Sequence, residues 1–248
     1  MSQKRRTRAD EPFLLVRALA TDHPPGESHA RHAHDWHQLI YASAGVLTVW
    51  TERGSWIAPP HWGVWVPAGI AHAIRFGGNC ALRTLFLRPE WAAGLPARCT
   101  AVTVSPLLRE LVLRIVRAGM LDRRDPVEAA LATLLVDEFR GSHVPPFELP
   151  QPRSLGALPD AAQLPTARLA ERLGMGRRTL ERRFASETGM TPARWRRHAA
   201  LLDAIERLAG GAPVKVVAAA AGYRSPSAFV AAFRRRFGVT PSRYFERE

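Results

Sequence analysis

The sequence predicts an α+β chain in two parts: an N-terminal β-barrel or sandwich with flanking helices, and an all-α C-terminal half. Three observations carry this. Short β-branched and aromatic runs crowd residues 12–90, an apolar period of three and four sets in over 105–141, and a two-helix pattern occurs twice from residue 166 on, beyond a proline-dense seam. The 248 residues, 46% apolar and 23% charged, supply core for one or two domains and exclude global disorder.

In the region 12–90 the expected strands are Phe13–Leu19, Trp36–Ala42, Val46–Thr51, Val64–Val66, Ala71–Phe76 and Ala81–Leu87, with Gly and Pro breaking the runs. In 105–141, Leu107, Leu108, Leu111 and Ile115, then Leu131, Leu134 and Leu135, recur at helical spacing on either side of Gly119 and Asp125-Pro126. Two amphipathic helices follow, which either pack on the barrel or form the contact of a homodimer. Pro145, Pro146, Pro150, Pro152, Pro159 and Pro165 then exclude a long helix or a central strand, so residues 142–165 read as a linker.

Charge is unevenly spread. Of the formal net +13, +10 lies in residues 153–248, where 18 Lys and Arg face 8 Asp and Glu. Clustered cations suit a polyanion such as nucleic acid. Two cysteines, Cys80 and Cys99, are too few for a disulfide framework, and no apolar run approaches the roughly 20 residues of a membrane span. The basic start Met1-Ser-Gln-Lys-Arg-Arg lacks the apolar segment of a secretory signal. A cytoplasmic protein without membrane partners is expected.

The helical half, 166–248, contains a repeat. Phe184-Ala-Ser-Glu-Thr-Gly189-Met-Thr191-Pro192-Ala-Arg194-Trp195 returns 49 residues later as Phe233-Arg-Arg-Arg-Phe-Gly238-Val-Thr240-Pro241-Ser-Arg243-Tyr244. Upstream, Leu169-Ala170-Glu-Arg-Leu173-Gly174 matches Val217-Ala218-Ala-Ala-Ala221-Gly222. Each unit is a short helix with a small residue (Ala170, Ala218) at the crossing, a Gly turn, and a second helix closed by Gly189 or Gly238: the layout of a helix-turn-helix. The second helices expose Arg177, Arg178, Glu181 and Arg182 in one unit and Arg224, Ser225, Ser227 and Arg234 in the other, side chains that hold phosphates or read base edges. Pro192–Leu208, with Trp195, Ala199, Leu202 and Ile205 on one stripe, predicts a connecting helix about 25 Å long, which would set the two units into successive major grooves.

Over the last 85 or so residues the chain resembles the AraC/XylS family of bacterial transcription regulators, its closing Gly-Val-Thr-Pro-Ser-Arg-Tyr-Phe being a family marker. Two departures stand out: Leu155–Pro165 is broken by proline where the family has a helix, and Gly176 replaces the usual Ser or Thr cap of the first recognition helix. The resemblance implies double-stranded operator DNA as a partner, with RNA polymerase as a second.

In the N-terminal half, Gly26-Glu-Ser-His29-Ala-Arg-His32-Ala-His34-Asp-Trp36-His37-Gln38, with Gly45 beyond, places His32, His34, Trp36, Gln38 and Ile40 on one face if the segment is an extended strand. His72 follows a Pro67-Ala-Gly69 turn. The pattern resembles the cupin barrel, whose motifs supply two His, a Glu and a later His to a metal; here Gln38 stands at the Glu position and Phe76 at the closing Asn. Three readings stay open: a metal site of His32, His34, Gln38 and His72 holding Zn or Ni, a metal-free pocket whose imidazoles bond an effector, and a structural cluster. The metal-free pocket leads, so no cofactor is required, and the effector set is His32, His34, Trp36, Gln38, Tyr41, Trp65 and His72. Trp50 and Trp62 are further lining candidates. The stretches His34–Ala42, Ala58-Pro-Pro and Val64–Gly69 resemble the NimR-type subgroup of the family, associated with control of an adjacent efflux gene.

The leading reading is a sequence-specific transcription regulator, not an enzyme, controlled by a small molecule in a cupin-like barrel. The runner-up is a metal-dependent cupin isomerase or dioxygenase carrying a DNA-binding appendage, and the third a nonspecific architectural DNA protein.

Overall fold

The computed structural model describes residues 8–140, 148–152 and 164–245. The chain divides into two compact units, Met1–Thr51 with Trp56–Glu148, and Glu52–Ser55 with Leu149–Glu248.

The first unit is sheet-rich and cupin-like. A short 3-10 helix, Arg8–Phe13, leads into β1 (Leu14–His23), β2 (Ser28–His32), β3 (His37–Thr51), β4 (Gly54–Ala58), β5 (Trp62–Val66), β6 (His72–Leu87) and β7 (Thr100–Thr103). Helix α1 (Pro106–Ala118), strand β8 (Met120–Asp122) and helix α2 (Pro126–Arg140) follow. The strand order is β7-β5-β3-β6-β1-β8, with β2 added on β6 and β4 on β3. The long strands β3 and β6 pair antiparallel from His37↔Leu87 to Thr51↔His72, with register shifts between Ala42 and Val46. These shifts are β-bulges, which bend the strand and raise its local twist.

Here the structure departs from the sequence reading. Trp36–Ala42 and Val46–Thr51 were expected as separate strands, as were Ala71–Phe76 and Ala81–Leu87, yet each pair is one bulged strand. Gly45 makes the bulge: its φ is +79°, and a Cβ there would run into the Asn79 carbonyl. The sheet also takes in β7 and β8, so it extends beyond the expected limit at residue 90.

Helix α1 starts at Ser105, whose hydroxyl accepts from Leu108 N at 3.0 Å, and ends at Gly119, whose N–H donates to Ile115 O at 2.8 Å. Helix α2 starts at Asp125, which accepts from Val127 N and Glu128 N at 2.9 and 3.1 Å. Leu108, Val112 and Ile115 of α1 and Ala132, Leu135 and Phe139 of α2 pack on Leu39, Tyr41, Trp65, Leu85 and Leu87 of the sheet in one core. Those helices therefore do pack on the barrel, while Leu107, Val127 and Leu134 stay exposed.

In the expected linker 142–165, Glu148–Pro150 forms a three-residue strand, β9, and the Pro150 carbonyl accepts the Trp195 indole N–H at 2.7 Å. Proline cannot donate to a ladder, but its carbonyl still accepts. The proline-broken segment Leu155–Pro165 lies outside the described residues apart from Leu164 and Pro165.

The second unit is helical: α3 (Thr166–Arg172), α4 (Arg177–Thr188), α5 (Pro192–Ala209), α6 (Val214–Ala220), α7 (Pro226–Phe237) and α8 (Pro241–Phe245). The repeat is visible bond by bond. Met175 N donates to Ala170 O and Tyr223 N to Ala218 O, at 2.9 and 3.0 Å, across Gly174 and Gly222, which both have positive φ. Likewise Gly189 N donates to Ala185 O and Gly238 N to Arg234 O, at 2.9 and 2.8 Å. Leu169, Ala170, Leu180, Phe184 and Trp195 form the core of the first helix pair. Phe229, Phe233, Phe237 and Tyr244 form an aromatic stack in the second, with centroids 4.5–5.7 Å apart. Among the described residues no helix is long and apolar enough to cross a membrane.

Candidate functional site

Two sites emerge, one in each unit. In the first, β2 ends at His32 and β6 begins at His72, and these two residues are register partners. The chain then leaves extended geometry for residues 33–36, so His34 comes from a loop rather than from the expected continuous strand. That loop is tied to the turn before β6: Gly69 N donates to His34 O at 2.9 Å, and Ala68 N to His37 Nδ1 at 2.9 Å. The ligand atoms of His32, His34 and His72 all lie within 4.8 Å of one another. Gln38, buried at the start of β3, brings its Oε1 within 2.9 Å of His34 Nε2 and 3.0 Å of His72 Nε2. Its Nε2 donates to Thr84 Oγ1 at 2.9 Å, and Phe86 closes the floor with its ring 5.2 Å from His34.

Each imidazole is aimed by a backbone carbonyl: His32 Nδ1 lies 2.8 Å from Ala30 O, His34 Nδ1 2.6 Å from Trp36 O and His72 Nδ1 2.9 Å from Ile70 O. His72 is fully buried, and burial lowers its pKa from 6.5 to about 4, with His32 and His34 adding to the shift against the Ile70 hydrogen bond. It is therefore neutral at physiological pH. Three imidazole nitrogens and an amide oxygen fit a late divalent metal such as Zn or Ni, without an anionic ligand.

The structure brings together His32, His34, Gln38 and His72 and separates the other three residues of the expected effector set. The half-buried Trp36 ring packs instead against the guanidinium groups of Arg17 and Arg88, 4.5 and 4.9 Å from its centroid. Its carbonyl, not its ring, serves the cluster. Tyr41 and Trp65 sit on the opposite face of the sheet, in the core beneath α1 and α2. There Trp65 donates to Pro96 O at 2.9 Å and lines a 270 Å³ cavity with Leu95, Thr100, Phe139 and Arg140. Thr84 and Phe86 were missed. They stand opposite Ile40 and Gln38 on the interior face of β3, a strand pairing that no sequence signal gave.

In the second unit Arg177, Arg178 and Arg182 are exposed on α4, and Arg224, Ser227 and Arg234 on or beside α7. Arg177 pairs with Glu181 at 3.0 Å, one turn along, so these two charges compensate each other. Ser225 caps α7 by accepting from Ala228 N at 3.2 Å, whereas Gly176 caps α4 without a side-chain bond. Arg183 and Arg235, exposed on the same helices, are cations the sequence reading left out. The connecting helix α5 touches both pairs: Arg196 donates to Thr166 Oγ1 at 2.8 Å, and His198 lies 3.4 Å from Arg236. Its 18 residues span about 27 Å, comparable to one DNA turn.

A ligand-binding barrel joined to paired helix-turn-helix units defines a ligand-responsive DNA-binding regulator. Residues 15–138 match the AraC-like ligand binding domain and residues 169–247 a helix-turn-helix domain. The chain belongs to the AraC family of transcription regulators, with an effector-binding N-terminal domain. It is 32% identical over 224 residues to the HTH-type transcriptional regulator NimR of Escherichia coli K12, covering 87% of this chain and 82% of that one. It is 35% identical over 107 residues to the regulator RipA of Corynebacterium glutamicum, covering 41% of this chain and 32% of that one. Among solved structures, ToxT of Vibrio cholerae with a bound unsaturated fatty acid is similar at 13% identity and a TM-score of 0.37, covering 94% of this chain and 95% of that one.

Proposed function

We propose that this regulator binds its effector at the His32, His34, Gln38 and His72 cluster and reads its operator with α4 and α7 in successive major grooves. The duplicated helix-turn-helix, with the same turn bonds in both copies and exposed arginines on both second helices, carries the DNA half of this reading. Arg178, Arg182, Arg224 and Arg234 hold phosphates or read guanine, Ser225 and Ser227 reach phosphate or base from the start of α7, and the Arg177–Glu181 pair rearranges at a base edge. Occupancy of the barrel shifts the population between two states of different DNA affinity.

The working form is a cytoplasmic homodimer that contacts RNA polymerase at promoters. Leu107 on α1 and Val127 and Leu134 on α2 are exposed apolar side chains, and they are the ones this reading places in the contact between two copies. The test is affinity for the upstream promoter fragment against random duplex over a salt series. A specificity ratio of at least 10³ supports the reading, and equal affinity for both overturns it.

The alternative, a metal-dependent enzyme fused to a DNA-binding domain, draws on the same histidines. Turnover of a small molecule that is lost in His72→Ala would favour it.

A further inference from the structure

On the face of the sheet turned away from the histidines, the cavity of 270 Å³ beside Trp65 lies between three elements of the first unit. Its floor is Trp65 and Thr100, register partners on β5 and β7, whose side chains therefore stand on one face. Leu95 and Pro96 make one wall, and Phe139 and Arg140 of the last turn of α2 make the other. The aromatic lining is fixed in place. The Trp65 indole N–H is satisfied by Pro96 O at 2.9 Å, and the Trp65 and Phe139 rings pack at 5.1 Å with a tilt of 60°. Both rings thus offer the cavity only carbon.

Two polar groups border this apolar space. The Thr100 hydroxyl, on a residue only 8% exposed, reaches nothing nearer than Ala101 O at 3.4 Å. Arg140 is exposed at the rim, and its one polar contact among the described residues is Ala93 O, 3.3 Å from its guanidinium. Most of its five N–H donors are therefore open to a ligand. Among the described residues no acidic side chain lines the cavity, and Arg140 is the lining's one cation. An apolar body with a single negative charge matches that lining, whereas a dianion would lack a second cation and an ammonium would meet Arg140 with its own sign. A cavity of about 150 Å³ takes one benzene ring, so this one has room for two fused rings. We propose that the cavity is a second ligand site of the regulator, for a small aromatic monocarboxylate. Its rings lie against Trp65 and Phe139 and its carboxylate meets Arg140, with the Thr100 hydroxyl as a further donor. The sheet separates this site from His32, His34, Gln38 and His72, so it stands whether or not an effector binds at that cluster.

The test titrates the full chain by calorimetry with 2-naphthoate and, as a cation of the same shape, with 2-naphthylmethylammonium. The wild type should bind one equivalent of naphthoate with a Kd below about 1 mM, and the ammonium at least about tenfold more weakly. Arg140→Gln, a change in an exposed side chain at the end of α2, should lower naphthoate affinity about tenfold and erase the preference between the two probes. Leu95→Trp, which fills the cavity, should abolish naphthoate binding; should it not fold, Arg140→Gln still decides the matter. His32→Ala, on the other face of the sheet, should leave naphthoate affinity within about twofold of the wild type. Failure of the wild type to bind naphthoate, equal affinity for the two probes, or binding that His32→Ala removes and Arg140→Gln leaves unchanged, overturns the proposal.

Discussion

Replacing Gly176 with serine should stabilise the first recognition helix. Gly176 is the N-cap of α4 with φ −65° and ψ 142°, close to Thr191 at −73° and 153° and Ser105 at −63° and 160°. Both of those residues accept from the amide three positions on, Thr191 from Arg194 N at 3.3 Å and Ser105 from Leu108 N at 3.0 Å. A Cβ on Gly176 would meet nothing closer than Thr179 Oγ1 at 3.9 Å, so the new side chain needs no rearrangement. The hydroxyl would then accept from Thr179 N, as Ser225 accepts from Ala228 N in the other copy. Serine gains a few tenths of a kcal/mol over glycine as a cap, and loss of glycine's freedom in the unfolded chain adds about 0.4–1 kcal/mol, for a total near 1 kcal/mol. In a small domain this raises the melting temperature by roughly 4–8 °C. Calorimetry of the full chain, together with hydrogen exchange of the α4 amides, reads the effect. An unchanged or lowered transition of the helical unit, with unchanged exchange in α4, would refute the capping argument.

Further outcomes follow from the same geometry. Arg224→Ala should weaken operator binding by about 1–3 kcal/mol and relax preference at one base pair if the side chain reads a base, or lower the salt slope by about one if it holds phosphate; a panel of operator variants over a salt series separates these, and no change in either excludes a contact. In metal-free protein His72 should make the barrel acid-sensitive. Its folded pKa of about 4 lies below the ordinary 6.5, so the unfolded chain binds the proton first and stability falls as pH drops from 6.5 to about 4, then levels off. Urea midpoints of wild type and His72→Leu over that window check this, and equal slopes would contradict it. Val127→Asp with Leu134→Asp, on the exposed face of α2, should shift a dimer to monomer in sedimentation while leaving the melting temperature within a few degrees.

The helical unit was legible in the sequence because its signals are local. Gly174 and Gly222 at the turns, Gly189 and Gly238 at the helix ends, and proline after the caps Thr191 and Ser225 all act within a few residues of where they stand. The barrel was less so. Strand β3 is buried on both faces over Gln38–Ala42, the interior on one side and α1 and α2 on the other, so alternation could not say that Gln38 faces the cluster while Tyr41 faces the helices. Trp36 was misplaced for a different reason. A loop interrupts the strand, and its indole prefers two guanidinium groups that are distant in sequence, Arg17 and Arg88. The four cluster residues were recoverable from motif spacing, but Thr84 was not. Its part lies in accepting from the Gln38 amide, which depends on the strand partner that β6 finds.

The most direct test of the account is a hydroxyl-radical footprint of the full chain on its upstream promoter fragment. Two helix-turn-helix units joined by α5 should leave, for each bound chain, two protected patches about 10 base pairs apart on one face of the duplex, with Arg224→Ala clearing one of them and Arg182→Ala the other. A single patch, or protection that both variants reduce equally across its length, would contradict recognition by two units in successive grooves.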